Sequence, residues 1–166
     1  IMKLPVVNHI DYFAKIGDDH RFPINKFGEL ANYLLKEKIV NKFYKPYPCS
    51  EETLKRAHSE NYIKQIKNKT LDKISIKKIG FPLVESVVKR SFIATGGTVL
   101  ASKLAINYGL ACNTAGGSHH ANFESGAGYC VFNDVAVAAK YLLDRNLAKR
   151  ILILDLDVHQ GNGNSD

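Results

Sequence analysis

The run Asp155-Leu-Asp157-Val-His159 places two carboxylates and an imidazole at alternate positions directly after an aliphatic segment. Alternate residues of an extended chain project to one side, so the three polar side chains share a direction. Charges left unpaired at the end of a buried strand cost roughly several kcal/mol, which a bound divalent metal would offset. Carboxylate oxygen with imidazole nitrogen suits zinc, iron(II), cobalt or manganese. We therefore predict Asp157 and His159 as two metal ligands, with Asp155 one pleat deeper, where it can fix a histidine tautomer. The alternative is a pair of carboxylates that cap a helix or brace a loop.

The tandem histidines His119 and His120 follow a loop of small residues, Gly116-Gly117-Ser118. Metal-assisted hydrolysis of an amide needs a general base for the water and a general acid for the leaving amine. Imidazole suits both tasks near neutral pH. We predict that this pair transfers protons, and the alternative is two structural histidines.

A third polar and aromatic segment, 126–134, lies between these two clusters. Gly128 can let a substrate approach the backbone, and Tyr129 can wall an apolar channel. A turn followed by core aromatic residues and a helix cap explains the same residues equally well. Cys130 has no basic neighbour in sequence, so we interpret it as a packing residue rather than a nucleophile.

Helices and strands alternate along the chain. Helical spacing of apolar residues predicts helices over 27–38 and 84–107. Aliphatic runs predict strands over 3–8, 110–114 and 150–157, the last buried on both faces as in a parallel sheet. The sequence therefore predicts an α/β fold with a parallel β-sheet flanked by helices, in which ligands gather at the carboxyl ends of the strands.

Short signals mark where helices begin, bend and end. We predict helix starts at Ser50, at Ser59 and at Asn133 or Asp134, and a helix end at Gly109. The paired glycines Gly96-Gly97 inside the long helix predict close packing or a bend.

Length and composition predict a single domain over 1–166, because 166 residues with 45% hydrophobic content suffice for one core. No apolar run is long enough to span a membrane, and the first ten residues do not resemble a secretion signal. The three cysteines form no Cys-x-x-Cys pair, which favours a reducing cytoplasm. The net charge of +7 is spread along the first half, so we interpret it as a solvated surface and do not expect nucleic-acid binding.

Taken together, three segments resemble the histone deacetylase family, which has the arginase/deacetylase fold. They are Gly-Gly-Ser-His-His-Ala (116–121), Gly-Tyr-Cys-Val-Phe-Asn-Asp-Val-Ala-Val-Ala-Ala (128–139) and Asp-Leu-Asp-Val-His-Gln-Gly-Asn-Gly (155–163). The details look most like the class IV branch and its bacterial relatives, as do Phe22-Pro23 and the segment 58–63. The matching segments follow the family's order along nearly the whole chain, and the combined signature is far more specific than any one motif.

The resemblance implies a role for each matching residue. Asp157 and His159 match two zinc ligands, and Asp155 matches the carboxylate behind the first histidine. His119 and His120 match the pair that activates water and handles the proton of the leaving group. The family's backbone near the residue matched by Asp155 also holds a monovalent cation, usually potassium.

The implied reaction removes acetyl or another acyl group from a lysine side chain or a related amine. Gly128 and Tyr129 match the glycine carbonyl and the aromatic wall of the acyl-lysine tunnel. The implied partner is therefore an acetylated lysine protein or a small acetylated amine.

Two departures from the family pattern stand out. Asn162 occupies a position behind the second histidine where many members have Asp, and an amide orients an imidazole but stabilises its charged form less well. The family's catalytic domain is about twice this length, and its third zinc ligand and oxyanion-stabilising Tyr come from later segments. We therefore expect an α/β fold that is incomplete at the C-terminus, weak zinc binding and little turnover for 1–166 alone, with a C-terminal half supplied elsewhere.

Two other functions compete with the deacetylase interpretation. One is a catalytically inactive remnant or an acyl-amine-binding module of the same family. The other is an arginase-fold hydrolase that acts on a guanidino group. Such an enzyme needs two metals, but Gly161 stands where its further Asp ligand would be.

Overall fold

The computed structural model describes residues 4–166, so Lys3, the first residue of the predicted strand 3–8, lies outside the described residues. The strand β1 comprises Val6–Val7 and pairs in parallel with β2, Cys112–Asn113. Val6 is in register with Cys112, and Val7 also forms a parallel bridge to Tyr44. Both strands are shorter than predicted, but they form the expected parallel pair.

Helices account for most of the regular structure. A short 3-10 helix, Ile10–Tyr12, follows β1. The α-helices are α1 (Lys26–Lys36), α2 (Glu51–Leu54), α3 (Glu60–Asn68), α4 (Lys73–Ile79), α5 (Glu85–Tyr108), α6 (Asp134–Asp144) and α7 (Asn162–Ser165). None of the helices in the described part of the chain combines the length and the hydropathy that a membrane crossing requires.

The predicted helix ends are confirmed where a side chain or a glycine marks them. Ser50 accepts the Thr53 N–H at the start of α2, and Ser59 accepts the Tyr62 N–H at the start of α3. Gly109 ends α5 with a φ of 81°, a conformation that favours glycine.

The long helix α5 is continuous through Gly96 and Gly97, so the paired glycines serve close packing rather than a bend. A methyl group on Gly96 would overlap the backbone carbonyl of Tyr47, and one on Gly97 would overlap the hydroxyl of Tyr12. The helix therefore lies directly against the loop before α2 and against the 3-10 helix. Its other principal neighbour is α6.

The main core lies around α3, α5 and the aromatic residues that follow β2. It includes fully buried side chains such as Tyr12, Leu54, Ile63 and Val137. A smaller cluster of Val7, Ala101 and Leu104 packs β1 against the C-terminal half of α5.

The prediction of a buried strand over 150–157 was wrong for this structure. The segment pairs with no strand among the described residues, and its side chains are exposed, with Leu152 88% and Leu156 87% accessible. A strand is defined by hydrogen bonds to a neighbour, and the only sheet within residues 4–166 is the β1–β2 pair. The aliphatic run correctly indicates an apolar segment, but its partner does not lie within the described residues.

Candidate active site

His119 lies at the end of the glycine-rich loop that follows β2, and a carboxylate from a distant segment holds its ring. The ring is buried, and its Nδ1 atom lies 2.6 Å from Oδ2 of Asp155. This hydrogen bond and the Asp157 backbone N–H hold the pKa of Asp155 below its usual value. The carboxylate accepts the Nδ1 proton, which leaves Nε2 of His119 available as a proton acceptor.

His120 is held in the same way by a neutral partner. Its Nδ1 atom lies 2.9 Å from the amide oxygen of Asn162, which can only accept, so Nδ1 carries a proton and Nε2 is available. The centroids of the two imidazole rings are 4.3 Å apart. The predicted pair is therefore one unit, with an anionic partner on His119 and a neutral partner on His120.

Asp157 and His159 lie together beside the histidine pair, and both are exposed. Oδ1 of Asp157 lies 2.8 Å from Nδ1 of His159 and accepts the His159 backbone N–H at 2.7 Å. These two bonds, the backbone one first, lower the pKa of Asp157. The same oxygen lies 4.0 Å from Nε2 of His119, and the His120 and His159 rings are 5.9 Å apart. All the predicted proton-transfer and metal-binding side chains thus meet in one place.

The chemistry of this donor pair fits a divalent metal, but its number of ligands does not complete a site. A carboxylate oxygen and an imidazole nitrogen 2.8 Å apart can share one ion. Catalytic zinc usually takes three protein ligands. Within residues 4–166 no three His, Cys, Asp or Glu side chains are arranged to hold a metal. Asp157, His159 and Asp155 also line an open cleft of about 320 Å³.

Gly128 lies against the ring of His120, and Tyr129 follows it in the chain. Gly128 has a φ of 53°, and a methyl group there would contact the His120 ring at 2.7 Å, so only glycine fits against that imidazole. Tyr129 also has a positive φ, and its ring packs on Phe22 and Phe81 with centroids 5.2 Å away in each case. Tyr129 is thus part of the aromatic packing, and its role as the wall of an apolar channel stays a prediction.

A buried hydrogen-bond network behind the loop was not predicted from the sequence. His58 is 1% exposed, and its Nε2 accepts the Asn133 N–H at 2.8 Å. The Asn133 amide donates to the carbonyl of Ala121 at 3.1 Å and to the side chain of Asn164 at 2.9 Å. The N–H of Gly163 donates to the His119 carbonyl at 2.8 Å. These bonds join the histidine loop to the segment that carries Asn162.

The two residues predicted as candidates for the start of α6 have different roles, and Cys130 is a packing residue. Asn133 caps α6 by accepting the Ala136 N–H, as predicted for one of the two candidate positions. Asp134, the other candidate, is buried and binds the loop before His119 instead. Burial raises the pKa of Cys130 to about 11, which agrees with a packing role. A helix-start signal at 133–134 was visible in the sequence, but the direction of the Asp134 side chain was not.

Comparisons with known proteins agree with this geometry. A family model described as the histone deacetylase domain matches residues 20–166. An uncharacterized protein from Picosynechococcus sp. is 43% identical over 164 residues, which is 98% of this chain and 55% of that protein. Histone deacetylase 2 from Arabidopsis thaliana is 35% identical, over 91% of this chain and 41% of its own length. Histone deacetylase 1 from Homo sapiens is 31% identical, over 81% and 29%. The chain thus spans between 29% and 55% of the length of these relatives.

Two solved structures share the fold. The crystal structure of an HDAC homolog complexed with SAHA superposes with a TM-score of 0.83 at 26% identity, and that of an HDAC homolog from Aquifex aeolicus with 0.80 at 26% identity. Each alignment covers 98% of this chain and 47% of the other. These similarities confirm the predicted arginase/deacetylase-like fold class.

Proposed function

The chain belongs to the histone deacetylase family, and from this premise we propose that it contributes to a metal-dependent amide hydrolase. The hydrolase removes acetyl or other acyl groups from lysine side chains or related amines. The observation that carries the proposal is the convergence of three segments, 119–120, 155–159 and 162, on one pair of imidazole rings.

The two histidines supply the proton transfers. Both rings are held through Nδ1, so the Nε2 atom of each ring is available to exchange a proton. The neutral form of one ring takes a proton from the attacking water, and the protonated form of the other delivers one to the leaving amine. The Asp155 carboxylate stabilises positive charge on His119, whereas Asn162 only orients His120.

We expect Asp157 and His159 to hold zinc, or iron(II) or cobalt, with a third ligand from outside the described residues. A bound divalent ion supplies Lewis-acid polarisation of the amide carbonyl. The backbone near Asp155 is proposed to hold potassium. Gly128 and Tyr129 are proposed to border the acyl-amine chain.

Two substrate classes fit, an acetylated lysine in a protein and a small acetylated amine such as an acetylpolyamine. We test the proposal with the full-length gene product that contains this chain. It is loaded with zinc, incubated with an acetyl-lysine peptide or an acetylpolyamine, and assayed for acetate. The expected result is acetate release that a chelator abolishes and zinc restores. Absence of release from both substrates by a folded, zinc-loaded protein would refute the hydrolase.

The alternative, an inactive acyl-amine-binding module, is favoured by one observation. Residues 4–166 provide no metal site with three ligands. The same experiment distinguishes the two, because a binding module would retain the acetylated amine without releasing acetate. A cytoplasmic location stays a proposal that rests on the three free cysteines.

A further inference from the structure

A buried carboxylate lies beneath the glycine loop that carries His119. Asp134 is the first residue of α6 and is 1% exposed. Its Oδ1 accepts the Ser118 N–H at 2.7 Å, and its Oδ2 accepts the Gly117 N–H at 3.1 Å. The hydroxyl of Thr98 donates to the same Oδ2. Three donors therefore compensate a charge that burial would otherwise make costly.

The loop is shaped around this carboxylate. Gly116 and Gly117 have φ values of 109° and 74°, which orient successive backbone groups in a way that other residues rarely adopt. A methyl group on Gly116 would overlap Oδ2 of Asp134 and the hydroxyl of Thr98. The glycines thus allow the backbone to close over the carboxylate immediately before His119.

The carboxylate does not serve as the cap of its own helix. The side chain of Asn133 already accepts the Ala136 N–H at the start of α6. A carboxylate in the first turn of a helix is ordinarily exposed and acts through the helix dipole. The two carboxylate oxygens of Asp134 instead accept hydrogen bonds from the loop backbone and from Thr98 of α5.

The support continues into the core. Thr98 accepts a hydrogen bond of 3.0 Å from the Asn113 amide, and Asn113 Oδ1 accepts one of 2.8 Å from the Tyr12 hydroxyl. The loop backbone is therefore tied through Asp134 to α5, to β2 and to the 3-10 helix. On its other side the His119 carbonyl accepts the Gly163 N–H.

We propose that Asp134 is a positioning residue, which fixes the backbone before His119 and thereby the direction of the His119 and His120 rings. This proposal rests on the proposed function for the reaction that the rings perform. Asp134 contacts the backbone of Gly117 and Ser118 and none of the groups proposed to react.

The variant Asp134→Asn tests the proposal because it keeps the shape and removes one acceptor. The amide has a single oxygen, so one of the two loop N–H groups must face an NH₂ group. In the full-length gene product labelled with ¹⁵N at Gly and Ser, we expect the Gly117 or Ser118 amide signal to move and its hydrogen exchange to accelerate at least tenfold. Deacetylation should show kcat lowered roughly 10–100-fold, as for other residues that orient catalytic ligands, with KM within about twofold.

The matched control is Asp144→Asn, a carboxylate on the same helix that pairs with Arg56 at the surface. It should leave the amide signals and kcat unchanged. If Asp134→Asn fails to fold, Thr98→Val and Thr98→Ser replace it. The valine removes one donor to the carboxylate and should lower kcat roughly 3–10-fold, and the serine should restore it.

Two results would overturn the proposal. One is a folded Asp134→Asn protein with unchanged loop amide signals and unchanged kcat. The other is a lower kcat together with a lower melting temperature and unchanged loop amide signals. That combination would show a general loss of stability rather than a displaced loop. Absence of deacetylation by the wild-type protein would refute the proposed function, whereas the amide signals would still report on the role of Asp134.

Discussion

Nδ1 of His119 lies 2.6 Å from Oδ2 of Asp155, although 36 positions separate the two residues in sequence. The contact brings the segment 155–159 to the loop that follows β2. It fixes the proton of His119 on Nδ1 and places the neighbouring Asp157 within 4.0 Å of the free Nε2. A single hydrogen bond therefore joins the proposed metal-binding segment to the proposed proton-transfer pair.

Removing the charge of Asp155 should weaken catalysis more than binding. The variant Asp155→Asn keeps an oxygen for His119 but no longer stabilises the imidazolium, and its NH₂ group can favour the wrong tautomer. We expect kcat for acetyl-lysine hydrolysis by the full-length gene product to fall roughly 10–100-fold with little change in KM. Asp144→Asn is the control, and a kcat for Asp155→Asn within twofold of wild type would contradict the assigned role.

The buried His58 should make the protein less stable in acid. Burial lowers the pKa of His58 to about 4 from its ordinary value of 6.5. Between these two pH values the unfolded chain binds a proton that the folded chain excludes, so stability is complete above pH 6.5 and falls as the pH drops toward 4. The loss should reach about 2 kcal/mol by pH 5. Urea unfolding at pH 7.5 and pH 5 measures it.

The variant His58→Gln isolates this contribution of His58. Its amide oxygen can accept the Asn133 N–H in place of Nε2, and it does not titrate. The fall in unfolding free energy between pH 7.5 and pH 5 should therefore be about 2 kcal/mol smaller than in wild type. Equal falls in the two proteins would show that His58 titrates normally in the folded state.

Two helical glycines should respond in opposite ways to alanine. At Gly28 in α1 a methyl group meets nothing within 4 Å, so Gly28→Ala should stabilise the protein by up to about 1 kcal/mol through helix propensity. At Gly96 in α5 the methyl group would overlap the Tyr47 carbonyl, and Gly96→Ala should destabilise by about 1–3 kcal/mol. Urea unfolding measures the change in unfolding free energy of both variants. A stabilised Gly96→Ala protein would mean that the loop before α2 moves aside at little energetic cost.

The parts of the fold that depend on local chemistry were predictable from the sequence. Ser50 and Ser59 cap the helices that they were expected to start, and Gly109 ends the long helix. The contact of Asp155 with His119 was also expected, because the family resemblance matches Asp155 to the carboxylate behind the first histidine. Their roles in catalysis stay predictions.

The parts that depend on distant partners were not predictable. An aliphatic run such as 150–157 becomes a buried strand only if a neighbour pairs with it, and no neighbour does within the described residues. The sequence predicts Asp134 at the start of a helix, but its carboxylate oxygens accept hydrogen bonds from backbone N–H groups 16 and 17 positions earlier. His58 is likewise 75 positions from Asn133, and one sequence carries no signal for that contact.

Metal binding by residues 1–166 should be weak and should depend on Asp157. With two ligands in place of three, zinc affinity should be well below that of a complete catalytic site. Calorimetric titration of zinc into the Asp157→Ala chain should show at least tenfold weaker binding than wild type, and the exposed Asp18→Ala variant should match wild type. Identical titrations for wild type and Asp157→Ala would remove Asp157 from the metal site.

The most direct test is acetate release by the full-length gene product with either His120 or His9, a partly exposed histidine before the 3-10 helix, replaced. His120→Gln removes a proposed proton-transfer group, and His9→Gln changes a histidine that pairs with Asp11 away from the site. We predict zinc-dependent release from an acetyl-lysine peptide or an acetylpolyamine that falls at least 100-fold in His120→Gln and stays within twofold in His9→Gln. Equal rates in the two variants would contradict the claim that the histidine pair performs the hydrolysis.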